Sequence, residues 1–154
     1  MKATELAGSR TEQLNQFFDD YAGGFNSTLK GAEPDVDAVT GRFAECFVES
    51  SPLGVMCKKN DSEFKKVVPE GYNFYKSIGI TAMDIVSKKV TLLDEFHAMV
   101  KVHWRSVFTR KDKSKGSVEF DVIYMLQTKD DNYKIFAYIT GDEQKSLKEN
   151  GLIE

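Results

Sequence analysis

An α+β fold is predicted for this sequence: a strongly curved sheet, mixed or antiparallel, wrapped around three N-terminal helices. Three observations predict it. Apolar residues recur at helical spacing through roughly the first half of the chain. Three strand patterns then follow one another from about Leu92 to Thr140. These strands carry apolar residues on both faces, so the sheet needs cover on both sides. Helices cover one side and leave room for a pocket between the layers.

A chain of 154 residues has the length of one ordinary domain, here 1–154. Residues 1–8 carry little pattern and are expected to form a loose arm, and 143–154 a polar tail. The net charge of -3 and pI of about 5.5 give no long-range attraction to phosphate backbones or anionic membranes. Neither nucleic acid nor a membrane is therefore expected as a partner. The start, MKATELAGSR, has no apolar signal region, and no stretch is long enough to span a bilayer. A cytoplasmic protein follows as the default. Cys46 and Cys57 make no disulfide framework and are expected to be small buried residues.

Ser9 is a candidate helix cap, with Glu12 completing a capping box. Leu14, Phe17, Phe18, Tyr21 and Phe25 then follow the helical period, across Gly23-Gly24. The segment from Lys30 to Pro34 ends this helix. Asp35 or Asp37 caps a second, whose stripe is Val36, Val39, Phe43 and Phe47, and Ser50 to Gly54 stop it. Val55, Met56 and Cys57 suggest a short strand. A third helix starts near Asp61 or Ser62, with Phe64, Val67, Val68, Gly71, Phe74, Tyr75 and Ile78 on its buried side. Pro69 should bend or break it. Gly79 ends it, and a strand follows from about Ile80 to Val90.

Residues 95–108 form the clearest strand. Phe96, Ala98, Val100, Val102, Trp104 and Phe108 share one face, the core or pocket wall. His97, Met99, Lys101, His103, Arg105 and Val107 share the other. Arg110 to Gly116 read as a solvated hairpin turn into a strand from Ser117 to Gln127. Pairing Thr109 with Ser117 sets Arg105 against Asp121 and His103 against Ile123, so odd-numbered residues share one side. A turn at Lys129 to Asn132 leads to a last strand, Tyr133 to Thr140. Residues 143–150 then read as a short helix closed by Gly151. Helices cover only one face, so the other is expected to meet a second copy of the chain. His97, Met99, His103, Arg105, Asp121, Ile123 and Met125 are its candidate interface residues.

The candidate ligand-binding residues are Tyr21, Tyr72, Tyr75, Trp104 and Tyr124, whose rings suit an apolar molecule and whose polar ends can orient it. Glu49 stands at the corner beside the expected pocket mouth, with Ser51 close by. His97 and His103 lie about 20 Å apart along an extended strand, too far for one metal ion. No residue spacing completes a zinc site, no phosphate loop or nucleophile elbow occurs, and no cofactor is expected.

The segment Phe43-Ala44-Glu45-Cys46-Phe47 with Ser51-Pro52-Leu53-Gly54, the strand from His97 to Trp104, the strand from Glu119 to Leu126 and the segment from Tyr133 to Tyr138 resemble the NTF2-like superfamily. This superfamily is also called the SnoaL-like or cystatin-like cone fold. The resemblance covers about Ser9 to Asp142. It implies a pocket between sheet and helices, and it implies homodimers. Such families include ketosteroid isomerase, polyketide cyclases, scytalone dehydratase, limonene epoxide hydrolase, transport factors and assembly domains. Where the steroid isomerases place an Asp-Pro turn that supplies the general base, this chain has Ser51-Pro52. Serine is no carboxylate base without an activating partner. Tyr21 falls roughly where those enzymes place an oxyanion-binding tyrosine. The expectation is a small-molecule binding protein. The alternatives are an isomerase, cyclase or hydratase, or an assembly domain.

Overall fold

Strand alternation organises the computed structural model, which describes residues 3–154. The strands are β1 (Phe43–Ser51), β2 (Gly54–Lys59), β3 (Ile80–Leu92), β4 (His97–Thr109), β5 (Lys115–Gln127) and β6 (Lys134–Ile139). They form one sheet in the order β2-β1-β6-β5-β4-β3. Only β1 and β6 pair in parallel, so the sheet is mixed. Ala98, Val100, Val102, Trp104 and Phe108 of β4 are buried, as are Val122, Tyr124 and Leu126 of β5. The even-numbered side of these strands is therefore the inner face. Register shifts within β3 and along both edges of β6 bend the strands locally. The result is an open, curved α+β sheet.

Four helices accompany the sheet: α1 (Ala3–Leu29), α2 (Val36–Thr40), α3 (Ser62–Ser77) and α4 (Glu143–Glu149). From α1, Leu14 and Phe18 are completely buried, each contributing about 1.5–3 kcal/mol through removal from water. The Phe18 ring lies 4.8 Å from that of Tyr124. Polar groups fix the helix along the edge strand. Asn26 Nδ2 donates to the Met83 carbonyl at 2.9 Å, and its Oδ1 accepts from the Met83 N–H at 2.7 Å. One side chain thus supplies the two bonds a neighbouring strand would give β3, and it covers an edge that invites wrong pairing. Lys88 reaches back to Asp19 and the Asn15 carbonyl.

A second apolar cluster closes one end of the sheet. Ile80 and Phe108 meet Leu147 and Leu152 beyond the last strand. Arg110 lies over the Phe108 ring and donates to the Asn150 carbonyl at 2.7 Å. Gly79 has φ of 96°, and a Cβ there would come within 2.0 Å of the Thr109 carbonyl oxygen. Only glycine permits this approach.

Several local expectations are corrected. The first helix starts at Ala3, so Ser9 lies inside it and does not cap it. Residues 3–8 contain no proline and continue the helix. Met1 and Lys2, the start of the expected arm, lie outside the described residues. The second helix has five residues, and Phe43 and Phe47 belong to β1. A spacing of four fits both a helical turn and the same-side positions of a strand. Cys46 and Cys57 are exposed rather than buried, since both sit on the outer side of the β1–β2 hairpin. The third helix runs through Pro69. The carbonyl deprived of its bond there belongs to exposed Lys65, where solvent can reach it. Val67 and Phe74 are exposed on that helix, and Phe96 is 43% exposed in the β3–β4 turn. Finally, Thr109 pairs with Lys115, which sets His103 against Asp121 and Arg105 against Glu119. The expected register was two residues off. A shift of two preserves every side chain's face.

Candidate functional site

A cavity of about 310 Å³ lies between the inner sheet face and the helices. Its floor comes from β4 and β5, through Trp104, Ser106, Val118, Phe120, Val122 and Tyr124. Tyr21 and Phe25 of α1 and Tyr75 of α3 form the opposite wall. Phe43, Glu49 and Tyr138 come from the adjacent β1 and β6, and Asp142, Glu143 and Leu147 close the far end. A strand side chain reaches this space because it falls on the inner parity. A helix side chain reaches it because it falls on the sheet-facing stripe.

Of the seven residues singled out in the sequence, Tyr21, Tyr75, Trp104, Tyr124 and Glu49 line this cavity. Two do not. Tyr72 is buried beneath α3, edge-on to Phe25 with ring centroids 4.9 Å apart. Ser51 turns the β1–β2 hairpin, where its Oγ accepts from the Leu53 N–H at 3.1 Å. Ser51 therefore lies outside the cavity, in the turn of a hairpin and not at the end of a helix. Sequence reading missed Tyr138, Asp142 and Glu143. The inner parity of the last strand was the available signal for Tyr138. Asp142 caps α4 by accepting from the Lys145 N–H.

The polar groups are paired locally. Trp104 Nε1 donates to the Tyr124 hydroxyl at 3.2 Å, which leaves the phenolic proton of Tyr124 to donate elsewhere. Tyr75 donates to Glu143 at 2.8 Å. Glu49 is ion-paired with Lys58 at 2.8 Å. Burial pushes the hydroxyls of Tyr21, Tyr75, Tyr124 and Tyr138 far above the ordinary phenol value. Negative charge adds to this, from Glu143 at Tyr75 and from Glu49 at Tyr138. All four phenols are neutral donors at physiological pH. The set can orient a carbonyl or hydroxyl and surround an apolar body. Among the described residues no group of three His, Cys, Asp or Glu side chains could hold a metal ion.

The outer face carries the two histidines. His103 is held by both ring nitrogens, with Nδ1 2.7 Å from Asp121 and Nε2 2.9 Å from Glu119. Lys101 and Arg105 flank the same two carboxylates at 3.7 and 3.8 Å. His97 bonds Asp94 through Nδ1 at 2.9 Å and meets the Phe136 ring edge-on. Met99, Ile123 and Met125 share this face, half-buried. Neither histidine lines the cavity.

Residues 11–143 match the family described as NTF2-like protein (DUF6841). No curated protein matches this chain. Among solved structures, one similar fold is an NTF2-like protein with a cystatin-like fold from Novosphingobium aromaticivorans. It has a TM-score of 0.67 at 13% identity, covering 99% of this chain and 97% of that one. A protein from the same organism, provisionally assigned as a scytalone dehydratase, gives a TM-score of 0.66 at 12% identity, covering 88% of this chain and 85% of that one. A nuclear transport factor 2 (NTF2-like) superfamily protein from Salmonella enterica gives 0.57 at 9% identity, covering 92% and 95%. At such identities these likenesses concern the fold. No helix among the described residues is long and apolar enough to cross a membrane.

The double carboxylate clasp raises the His103 pKa above the ordinary 6.5, through Asp121 first and Glu119 second. Its stabilising contribution is full below the unfolded value and is lost as pH rises through the higher folded value. In an NMR titration the His103 ring should therefore titrate above 6.5. Asp121→Asn should move the midpoint down. A wild-type midpoint at or below 6.5 would contradict the clasp.

Proposed function

Since this chain belongs to the NTF2-like family described as DUF6841, we propose that it binds a small, mainly apolar molecule in its inner cavity. The carrying observation is the aromatic lining of that cavity, which joins eight rings, from Tyr21, Phe25, Phe43, Tyr75, Trp104, Phe120, Tyr124 and Tyr138. A space of about 310 Å³ falls within the range of ligand pockets, and a few convergent polar groups in an apolar wall are their usual chemistry. Binding is favoured over catalysis because each wall carboxylate is engaged, Glu49 by Lys58, Glu143 by Tyr75 and Asp142 by the Lys145 N–H. No histidine lines the cavity to serve as an acid or base. The exposed thiols of Cys46 and Cys57 suit a reducing compartment, which supports a cytoplasmic location.

The proposed partner is a second copy of the chain, docked through the outer sheet face. Cross-strand pairing aligns Val55, Ser50, Ile139 and Ile123 in one row. Cys57, Val48, Ala137, Met125 and Met99 align in the next. Val55 is 69% and Ile139 50% exposed, although these rows otherwise resemble core. The neighbouring ladder carries Lys101, His103 and Arg105 on β4 and Glu119 and Asp121 on β5. A two-fold axis would set such a ladder against its own complement.

The neutral fluorophore N-phenyl-1-naphthylamine should bind saturably, and Val122→Phe, which fills the floor of the cavity, should weaken it by about tenfold, or roughly 1.4 kcal/mol. Circular dichroism checks that the variant is folded. Non-saturable binding, or unchanged affinity in the folded variant, would sink the pocket reading. In sedimentation equilibrium the wild type should be a dimer, and Ile123→Glu with Met125→Glu should yield folded monomer. A monomeric wild type at high micromolar concentration would refute the proposed partner.

A further inference from the structure

We infer that the molecule held in the inner cavity carries an organic cation, such as an amine attached to an apolar body. This rests on the reading of the cavity as a ligand site and specifies its chemistry. Among the described residues the charged side chains along the wall are Glu49, Asp142 and Glu143, and no lysine, arginine or histidine joins them. Lys58 offsets Glu49 from outside the wall, and Asp142 spends one oxygen on the cap of α4. Glu143 is exposed and accepts the neutral Tyr75 hydroxyl, and among the described residues of the wall no cation stands beside it. An anionic ligand would meet these carboxylates at the rim and wall, which disfavours it.

The rings point the same way. Tyr75, Trp104, Tyr124 and Tyr138 line the cavity with Tyr21, and aromatic faces attract cations through their quadrupoles. Tyr21 already shows this preference, with the Arg42 guanidinium 5.6 Å from its ring centroid. Arg42 is not among the lining residues, although its charge also reaches the Tyr21 hydroxyl. An ammonium near Glu143 and Tyr75 would meet a carboxylate, a phenol oxygen and ring faces together. Its apolar body would rest on the Trp104 and Tyr124 floor.

Three matched probes test this on the intact protein: 2-phenylethylamine, 2-phenylethanol and 3-phenylpropionate. Trp104 is the one tryptophan in the chain, and its emission reports occupancy of the cavity. The amine should bind about tenfold more tightly than the alcohol, with the carboxylate weakest. In Glu143→Gln the ratio of amine to alcohol affinity should fall toward one. Should that variant misfold, Glu49→Gln on β1 supplies a second reading, and it too should lower the ratio of amine to alcohol affinity. Equal affinity for amine and alcohol, or preference for the carboxylate, overturns the inference but leaves the cavity reading intact. No saturable response from any of the three overturns both.

Discussion

The two-residue alternation along the long central strands is the constraint on which the rest of the molecule depends. Ala98, Val100, Val102 and Trp104 turn inward from one strand, and Val122, Tyr124 and Leu126 from its neighbour. The intervening residues must then face outward. Helix α1 docks on the inner side because its Leu14 and Phe18 can be buried only there. The cavity exists because this helix, α3 and the curved sheet do not fill the space between them near Trp104 and Tyr138. The charged ladder around His103 exists because the same alternation sends it to the other face. One periodicity therefore separates the aromatic interior from the mixed exterior.

This division explains which parts were legible in the sequence. The faces of the central strands could be assigned although their register was two residues off, since an even displacement leaves parity unchanged. His103 and Asp121 were accordingly placed on the outer side, although as diagonal rather than direct neighbours. Phe43 and Phe47 were misassigned because a spacing of four satisfies helix and strand alike. That misassignment also put Cys46 in a helix and turned the Ser51-Pro52 hairpin into a helix end. Exposure of Cys46 and Cys57 follows from strand positions that a local pattern cannot show.

The cavity itself was only partly legible. Aromatic residues at inner positions marked Trp104 and Tyr124, and the helical stripe marked Tyr21. Glu143 follows the last strand by four residues, in what reads as a polar tail, and only tertiary folding brings it against Tyr75, 68 positions earlier. The separation of Tyr72 from Tyr75 is similar in kind. Both pack against Phe25, but Tyr72 is buried there while Tyr75 also lines the open space. Such distinctions depend on which neighbours fill the volume, not on spacing along the chain.

The central claim is that the inner face encloses an accessible apolar space. Diffraction from a xenon-pressurised crystal tests it most directly, because xenon enters apolar cavities without needing a hydrogen bond. A xenon peak should occur between Trp104, Phe120 and Tyr124, with Tyr21 across from it. An interior packed solid, with xenon found only on the outer surface, would contradict the account.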